Sequence, residues 1–247
     1  MSMNRLHDWF ASELGQHVLA AERLRLDAMV SDIFGFNAMQ VGFEGVDLLR
    51  ANRIPFRFTV GLEEAAEVRA DARDLPFLTQ SLDLVLLPHL LEFHAAPHQV
   101  LREVERVLMP EGHVVITGFN PWSLWGLWRL LHHGARSMPW CGRFISLRRL
   151  KDWLALLGLE VTAGQVCCYA PPMGRAGWVD RFRFLEAAGD RWWALAGAVY
   201  VLQAKKRVRG MRLITPRWNE KRVAEKALAP AAHKIGHVGR MGLKESA

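Results

Sequence analysis

The sequence has little cysteine and no long apolar segment. Its three cysteines show neither a Cys-x-x-Cys spacing nor a paired Cys/His spacing, so we expect no metal site. We expect buried free thiols at Cys167 and Cys168. The longest strongly apolar run, 192–202, is too short for a transmembrane helix, and residues 1–16 lack the apolar core of a signal peptide. These absences predict a cytoplasmic protein without an integral membrane segment.

Acidic residues are scarce near the C-terminus. Residues 205–247 contain 12 Lys/Arg and 3 Asp/Glu, whereas the preceding chain contains 20 basic and 22 acidic residues. The formal net charge of +7 therefore lies in a basic tail, and the body is almost neutral. Such a tail can contact RNA phosphates non-specifically, with an affinity that falls as salt rises. It can equally serve as a solvated tail, so both interpretations stay open.

Helix and strand patterns alternate along the body. Apolar residues at three- and four-residue spacing predict an amphipathic helical segment over 5–34, punctuated by Gly15. The run 84–87 is apolar throughout, as in a strand buried on both faces of a parallel sheet. The other predicted strands are 36–41, 56–60, 67–70, 113–117, 160–169 and 194–204. The other predicted helices are 46–51, 98–108 and 146–157, with Ser146 as the N-cap of the last.

This alternation predicts an α/β fold with a doubly wound, mostly parallel sheet. The last two strands lack a long helix between them, which is compatible with an antiparallel edge. We therefore expect three parts: an N-terminal helical extension at 1–35, a sheet domain at 36–204 and the basic tail at 205–247.

Polar residues and glycines follow four of the predicted strands. Ligands on open α/β sheets bind beyond the carboxyl ends of strands, so these segments are the candidate site. Glycine lets the backbone approach a ligand closely, and a carboxylate can accept a hydrogen bond from an exocyclic amine. The four segments are Gln40 to Gly45, Asp71-Ala72, Pro88-His89 and Gly118 to Pro121.

Several short motifs occur in the order of a known family. Residues 69–77 read RADARDLPF, 81–85 read SLDLV, and 101–112 read LREVERVLMPEG. Together they resemble the type 11 group of class I methyltransferases, most specifically over 68–121. The segment 118–126, with Trp9 and Glu22, is similar to an uncharacterised bacterial branch of that group. The resemblance implies a seven-stranded, Rossmann-like methyltransferase fold and S-adenosyl-L-methionine as cofactor.

The resemblance also implies roles for residues at the strand ends. Gly42 and Gly45 would shape the loop beside the methionine part of the cofactor. Asp71 would accept a hydrogen bond from the adenine amine, and Ala72 would supply a backbone N–H. The alternative for Asp71 is a turn-capping aspartate without a ligand.

Pro88 and His89 would lie near the methyl-bearing sulfonium. A base is needed only where the acceptor must lose a proton, and His89 and His94 are the nearest candidates, because imidazole titrates near neutral pH. We take His89 as the candidate catalytic residue. The alternative for His89 is a helix-start residue without chemistry.

The first glycine-rich segment departs from the family pattern. Gln40 stands where an acidic residue is usual, and Glu44 stands in place of a glycine. The acid that holds the ribose has no clear counterpart, and Glu63 is the candidate. A glutamine still forms hydrogen bonds but attracts the cofactor's ammonium less strongly. Two functions follow: a methyltransferase acting by direct methyl transfer on a small molecule or RNA, or a non-catalytic binding protein on the same fold.

Residues 121–150 contain four tryptophans, five arginines, two histidines and no acidic residue. Their position in the family predicts a lid over the substrate, with Asn120, Trp122 and Trp125 towards the acceptor. A cationic aromatic lid suits an acidic or aromatic small molecule, can stack on bases, and can contact a membrane interface. A helix packed on the sheet, with arginines reaching outward, is the fourth interpretation.

Overall fold

The computed structural model describes residues 4–131, 138–172 and 196–208. Most of the predicted tail lies outside the described residues, as do positions 132–137 of the predicted lid and the first two residues of the predicted strand 194–204. Within the described ranges, no helix is long and apolar enough to cross a bilayer.

Seven strands form one sheet, in the spatial order β3-β2-β1-β4-β5-β7-β6. Strands β1 to β5 are parallel, and β7 is inserted antiparallel between β5 and β6. This topology confirms the doubly wound, mostly parallel fold with an antiparallel edge. The strands are β1 (Asn37–Val41), β2 (Phe56–Gly61), β3 (Val68–Arg69), β4 (Leu82–Pro88), β5 (Leu108–Phe119), β6 (Leu159–Cys167) and β7 (Val199–Lys206).

Helices cover both faces of the sheet. One buried apolar cluster joins the N-terminal helices to the sheet through residues such as Leu26 and Leu86, and the second joins α4 and α6 to the opposite face. The N-terminal helices are therefore part of the same core as the sheet. The helices in the described ranges are α1 (Asn4–Phe10), α2 (Glu13–Val30), α3 (Leu90–Phe93), α4 (Pro97–Val107), α5 (Leu124–Leu131) and α6 (Leu147–Leu156).

The segment 5–34 is helical as predicted, but the position of its break at Gly15 was wrong, because the chain turns between α1 and α2 and Gly15 lies inside α2. Ser12 caps α2: its hydroxyl oxygen accepts a hydrogen bond from the backbone N–H of Gly15. Gly15 also permits the close approach of the two helices, since a Cβ there would collide with the carbonyl oxygen of Trp9. Capping and the missing side chain together favour two short helices over one long helix.

The prediction of a helix at 46–51 was also wrong, because the connection from β1 to β2 is an irregular loop. The buried side chain of Gln40 organises this loop. Its amide nitrogen donates to three loop carbonyls, those of Gly42, Phe43 and Val46. Its amide oxygen accepts a hydrogen bond from the backbone N–H of Leu48. These bonds satisfy backbone groups that a helix would have paired.

The other local predictions agree more closely with the structure. Ser146 caps α6 by accepting a hydrogen bond from the backbone N–H of Arg149, and Gly158 follows the helix with a φ of 72°. The closing strands are antiparallel, as predicted. Cys167 and Cys168 are buried thiols, as predicted.

Candidate functional site

A cavity of about 290 Å³ lies beyond the carboxyl ends of β1 and β2 and beside the segments that follow β3 and β4. The connections from β1 and β4 run to opposite sides of the sheet here, and open α/β sheets bind ligands at such a switch point. The lining residues are Val41, Gly42, Glu44, Gly61, Leu62, Glu63, Ala70, Asp71, Ala72, Arg73, Leu90, Phe93, His94 and Ala95.

The loop after β1 forms one wall of the cavity. Gly42, Phe43 and Gly45 all have positive φ values, of 75°, 55° and 82°. The N–H of Gly42 donates to the carbonyl oxygen of Val60 over 2.7 Å, which joins the loop to β2. Gly42 lines the cavity as predicted, whereas Gly45 is exposed outside it. Gln40 does not line the cavity either, because its polar atoms are bonded within the loop.

Glu44 is a cavity residue whose role the sequence did not indicate. It is 8% exposed, and its carboxylate lies so close to Gly61 that a Cβ at residue 61 would collide with Oε1 of Glu44. No hydrogen bond or ion pair joins Glu44 to any other residue that the structure describes. Glu44 stands where the family has a glycine. Its carboxylate therefore lies between the ends of β1 and β2, where it can accept hydrogen bonds from a ligand.

Asp71 lies in the cavity wall beside Arg73. The guanidinium donates to both carboxylate oxygens, with an Nη2–Oδ2 distance of 2.6 Å, and the backbone N–H of Arg73 donates to Oδ1. The hydrogen bonds from the Arg73 side chain hold the pKa of the Asp71 carboxyl down at about 2. The geometry of the turn-capping alternative is therefore present, and the same carboxylate lines the cavity. His94 is a second neighbour of this carboxylate, since its Nε2 is 3.6 Å from Oδ1 of Asp71.

Two further predicted residues lie at the cavity. Glu63 follows β2 in a short turn that replaces the usual helix, and its side chain is half-buried. Ala72 is buried behind Asp71. Glu44, Glu63 and Asp71 consequently place three carboxyl groups around one cavity, and they approach it from the ends of β1, β2 and β3.

The structure does not support His89 as a base. The residue is 1% exposed and lies beneath α2, with Nε2 3.2 Å from Oε2 of Glu22 and Nδ1 3.5 Å from Oε1 of Glu92. Burial opposes protonation, but the charge and hydrogen bond of Glu22, with those of Glu92, outweigh it and raise the pKa of His89 to about 10. A protonated imidazole cannot accept a proton. Pro88 ends β4 and is buried outside the cavity wall.

The predicted lid residues also lie away from the cavity. Asn120 is buried, and its side chain donates to the carbonyl of Gly197 and accepts from the N–H of Trp122. The indole N–H of Trp125 donates to the carbonyl of Ala170. These bonds hold Asn120 and Trp125 in the core, whereas Trp122 is 81% exposed. This part of the predicted lid is a packed helix start.

Comparison with known families matches residues 47–116 to the model described as "Methyltransferase domain". The matched range contains β2 to β4 and most of the cavity residues. This part of the chain matches the type 11 group of class I methyltransferases.

Solved structures of this methyltransferase fold resemble the chain over most of its length. A SAM-dependent methyltransferase from Thermotoga maritima has a TM-score of 0.55 at 17% identity, and the superposition covers 74% of this chain and 87% of that protein. One from Archaeoglobus fulgidus has a TM-score of 0.53 at 20% identity, covering 78% and 95%. At these identities the likeness shows the shared fold.

A curated relative is closer in sequence. The "Uncharacterized protein YafS" of Escherichia coli strain K12 is 35% identical over 144 residues, which is 58% of this chain and 60% of YafS. The match therefore spans less than two thirds of the relative. Neither the family match nor these relatives favour the alternative of a non-catalytic binding protein.

The family implies S-adenosylmethionine as the cofactor, and the residues at the cavity fit it. A cavity edged by three carboxyl groups attracts a ligand that carries a sulfonium and an ammonium. Carboxylates also accept hydrogen bonds from hydroxyls and amines. Gly42 lines the cavity without a side chain, so the backbone can approach a ligand there. The absence of a side chain at Gly61 leaves room for the Glu44 carboxylate.

Proposed function

We propose that the protein transfers the methyl group of S-adenosylmethionine directly to an acceptor, which is a small molecule or RNA. The convergence of Glu44, Glu63 and Asp71 on the cavity at the switch point of the sheet carries this proposal. Each carboxylate follows a different strand, so the topology of the methyltransferase fold brings them together.

The cavity residues divide between the parts of the cofactor. Asp71 accepts a hydrogen bond from the adenine amine, and Ala72 offers its backbone N–H. Glu63 and Glu44 accept from the ribose hydroxyls, so that Glu44 compensates for the acid that the family usually has after the second strand. Gly42 leaves room for the methionine part, while Gln40 acts indirectly by holding the loop.

The chain's contribution to methyl transfer is alignment and exclusion of water. When bound, the cofactor supplies a methyl group on a positively charged sulfur, which is already a good leaving group. The apolar side chains of Leu90 and Phe93 line the cavity after β4 and keep water out. Of the two histidines predicted as bases, His94 lines the cavity, so it is the candidate where an acceptor must lose a proton.

Calorimetric titration with S-adenosylmethionine and its demethylated product tests cofactor binding. We expect Asp71→Asn to weaken binding by about tenfold, because a neutral amide is a poorer acceptor than a carboxylate. Asp74→Asn is the matched control, since Asp74 is exposed three residues later and does not line the cavity. Absence of binding at millimolar ligand overturns the proposal. An untargeted comparison of metabolites and modified nucleosides, with and without the gene, then identifies the acceptor.

A further inference from the structure

Helix α5 presents leucine rather than charge to the solvent. Four of its eight residues are leucines with exposed fractions between 51% and 71%, and Trp122 just before the helix is 81% exposed. We name these five residues the α5 patch; they are Trp122, Leu124, Leu127, Leu130 and Leu131. The outward face of a helix in a soluble domain is normally polar, and a contiguous apolar patch marks an interaction surface.

The inward face of α5 is already occupied. Trp125 is 2% exposed, donates its indole N–H to Ala170 and stacks on Phe119 with ring centroids 5.8 Å apart. Helical spacing places Leu124, Leu127 and Leu131 on the side away from Trp125. The packing of Trp125 therefore holds the leucines towards the outside of the domain.

The charged residue of the helix also faces inward. The Nε of Arg129 donates to the carbonyl of Trp140, and its guanidinium lies 4.9 Å from the centre of the Phe144 ring. The α5 patch is thus free of charge, while the sequence 121–150 that contains it has five arginines and no acidic residue. The C-terminal residues 205–247 add 12 Lys/Arg against 3 Asp/Glu.

We propose that the α5 patch docks on the surface of an anionic lipid bilayer. Tryptophan and leucine enter the boundary between headgroups and acyl chains, and the net positive charge of the chain is attracted to anionic headgroups. The interaction is peripheral and does not depend on methyl transfer.

The shape of the leucine side chains and the net charge of the chain favour a bilayer over nucleic acid or a second copy of the chain. Nucleic acid is recognised through phosphates and planar bases, whereas leucines have no planar face for a base. A second copy of the chain would bring the same net charge of +7 to the contact, and like charges oppose such an interface. An anionic bilayer complements both the apolar patch and the positive charge.

Vesicle sedimentation with the full-length chain tests the proposal. We expect binding to vesicles of phosphatidylcholine with phosphatidylglycerol, and weaker binding to phosphatidylcholine alone. The double variant Leu127→Ser/Leu131→Ser should reduce the partition coefficient on the order of tenfold or more, because two leucine side chains no longer enter the interface. The matched control is Leu78→Ser/Leu156→Ser, since these leucines are 81% and 85% exposed and lie outside α5. The control variant should leave the partition coefficient unchanged.

Three outcomes overturn the proposal. The first is no sedimentation of the protein with anionic vesicles at low salt. The second is equal vesicle binding by the α5 double variant and the unmodified protein. The third is a melting temperature or an oligomeric state that changes in the α5 variant and not in the control. That result would mean that another part of the chain, or a second copy, covers the leucines.

Discussion

The Nε2 atom of His89 lies 3.2 Å from Oε2 of Glu22, a residue 67 positions earlier in the chain. Both side chains are 1% exposed. On the other side of the imidazole lies Glu92, whose Oε1 accepts a hydrogen bond from the N–H of Phe119. This buried cluster joins α2 to the ends of β4 and β5. It therefore fixes the N-terminal helices on the sheet and turns His89 away from catalysis.

Breaking this cluster should destabilise the fold. Glu22→Gln removes the charge that faces the buried imidazolium, and loss of one partner of a buried pair costs about 3–5 kcal/mol. The free energy of unfolding, measured by urea denaturation, should fall by that amount. Glu64→Gln is the control, because Glu64 is exposed in a loop. A loss below about 1 kcal/mol for Glu22→Gln would contradict the assignment.

The same cluster should make stability depend on pH. Glu22 and Glu92 raise the pKa of His89 from 6.5 to about 10 against the effect of burial. The stabilisation is therefore complete below pH 6.5 and is lost as the pH rises towards 10. Burial also raises the pKa of Glu92, so its contribution to stability likewise decreases as the pH rises.

Urea denaturation at pH 6, 8 and 10 measures this dependence. The difference in stability between the unmodified protein and Glu22→Gln should shrink across that range, because His89 loses its proton. Other groups that titrate above pH 8 are present in both proteins, so their contributions to stability cancel in the difference. A difference that stays constant would contradict the loss of a proton from His89 between pH 6 and pH 10.

The contact between Glu44 and Gly61 predicts a coupled effect on cofactor binding. Gly61→Ala should displace the Glu44 carboxylate, because the new Cβ would collide with Oε1. We expect Gly61→Ala and Glu44→Ala each to weaken binding of S-adenosylhomocysteine by roughly tenfold, about 1.4 kcal/mol. The double variant should bind no more weakly than either single variant, since both changes remove one interaction. Additive losses in a calorimetric titration would exclude a shared role.

Gln40 should matter for the loop although it does not line the cavity. Gln40→Leu leaves loop carbonyls and an N–H without partners, which should cost about 2–4 kcal/mol of unfolding free energy. Loosening of the loop should also weaken cofactor binding. The control is Gln99→Leu, because Gln99 is exposed on α4. Equal stabilities of the two variants in urea would rule out the organising role of Gln40.

Local patterns sufficed to predict much of the fold. The helix at α6 followed from the Ser146 cap and from Gly158 at its end, and the strand β4 from a continuous apolar run. Such signals act between residues a few positions apart, so they can be read without the tertiary structure. The helix predicted at 46–51 failed because the bonds from Gln40 replace helical hydrogen bonds, and no periodicity records them.

The position of the site followed from the sequence as well. Asp71, Ala72, Glu63 and Gly42 were expected at strand ends, and parallel strands bring their carboxyl ends to the same edge of a sheet. The structure places all four at one cavity.

The direction of individual side chains was decided by tertiary packing. His89 follows β4 as a catalytic residue would, yet Glu22 from α2 holds it in the core. Trp125 similarly packs inward through Ala170, and the leucines of α5 consequently point outward. The sequence by itself determined the resemblance to the methyltransferase family, the sheet and the edge where the candidate site lies, because these depend on local pattern and motif order. Only the tertiary structure decided which polar side chains reach the cavity, because that depends on partners distant in the chain.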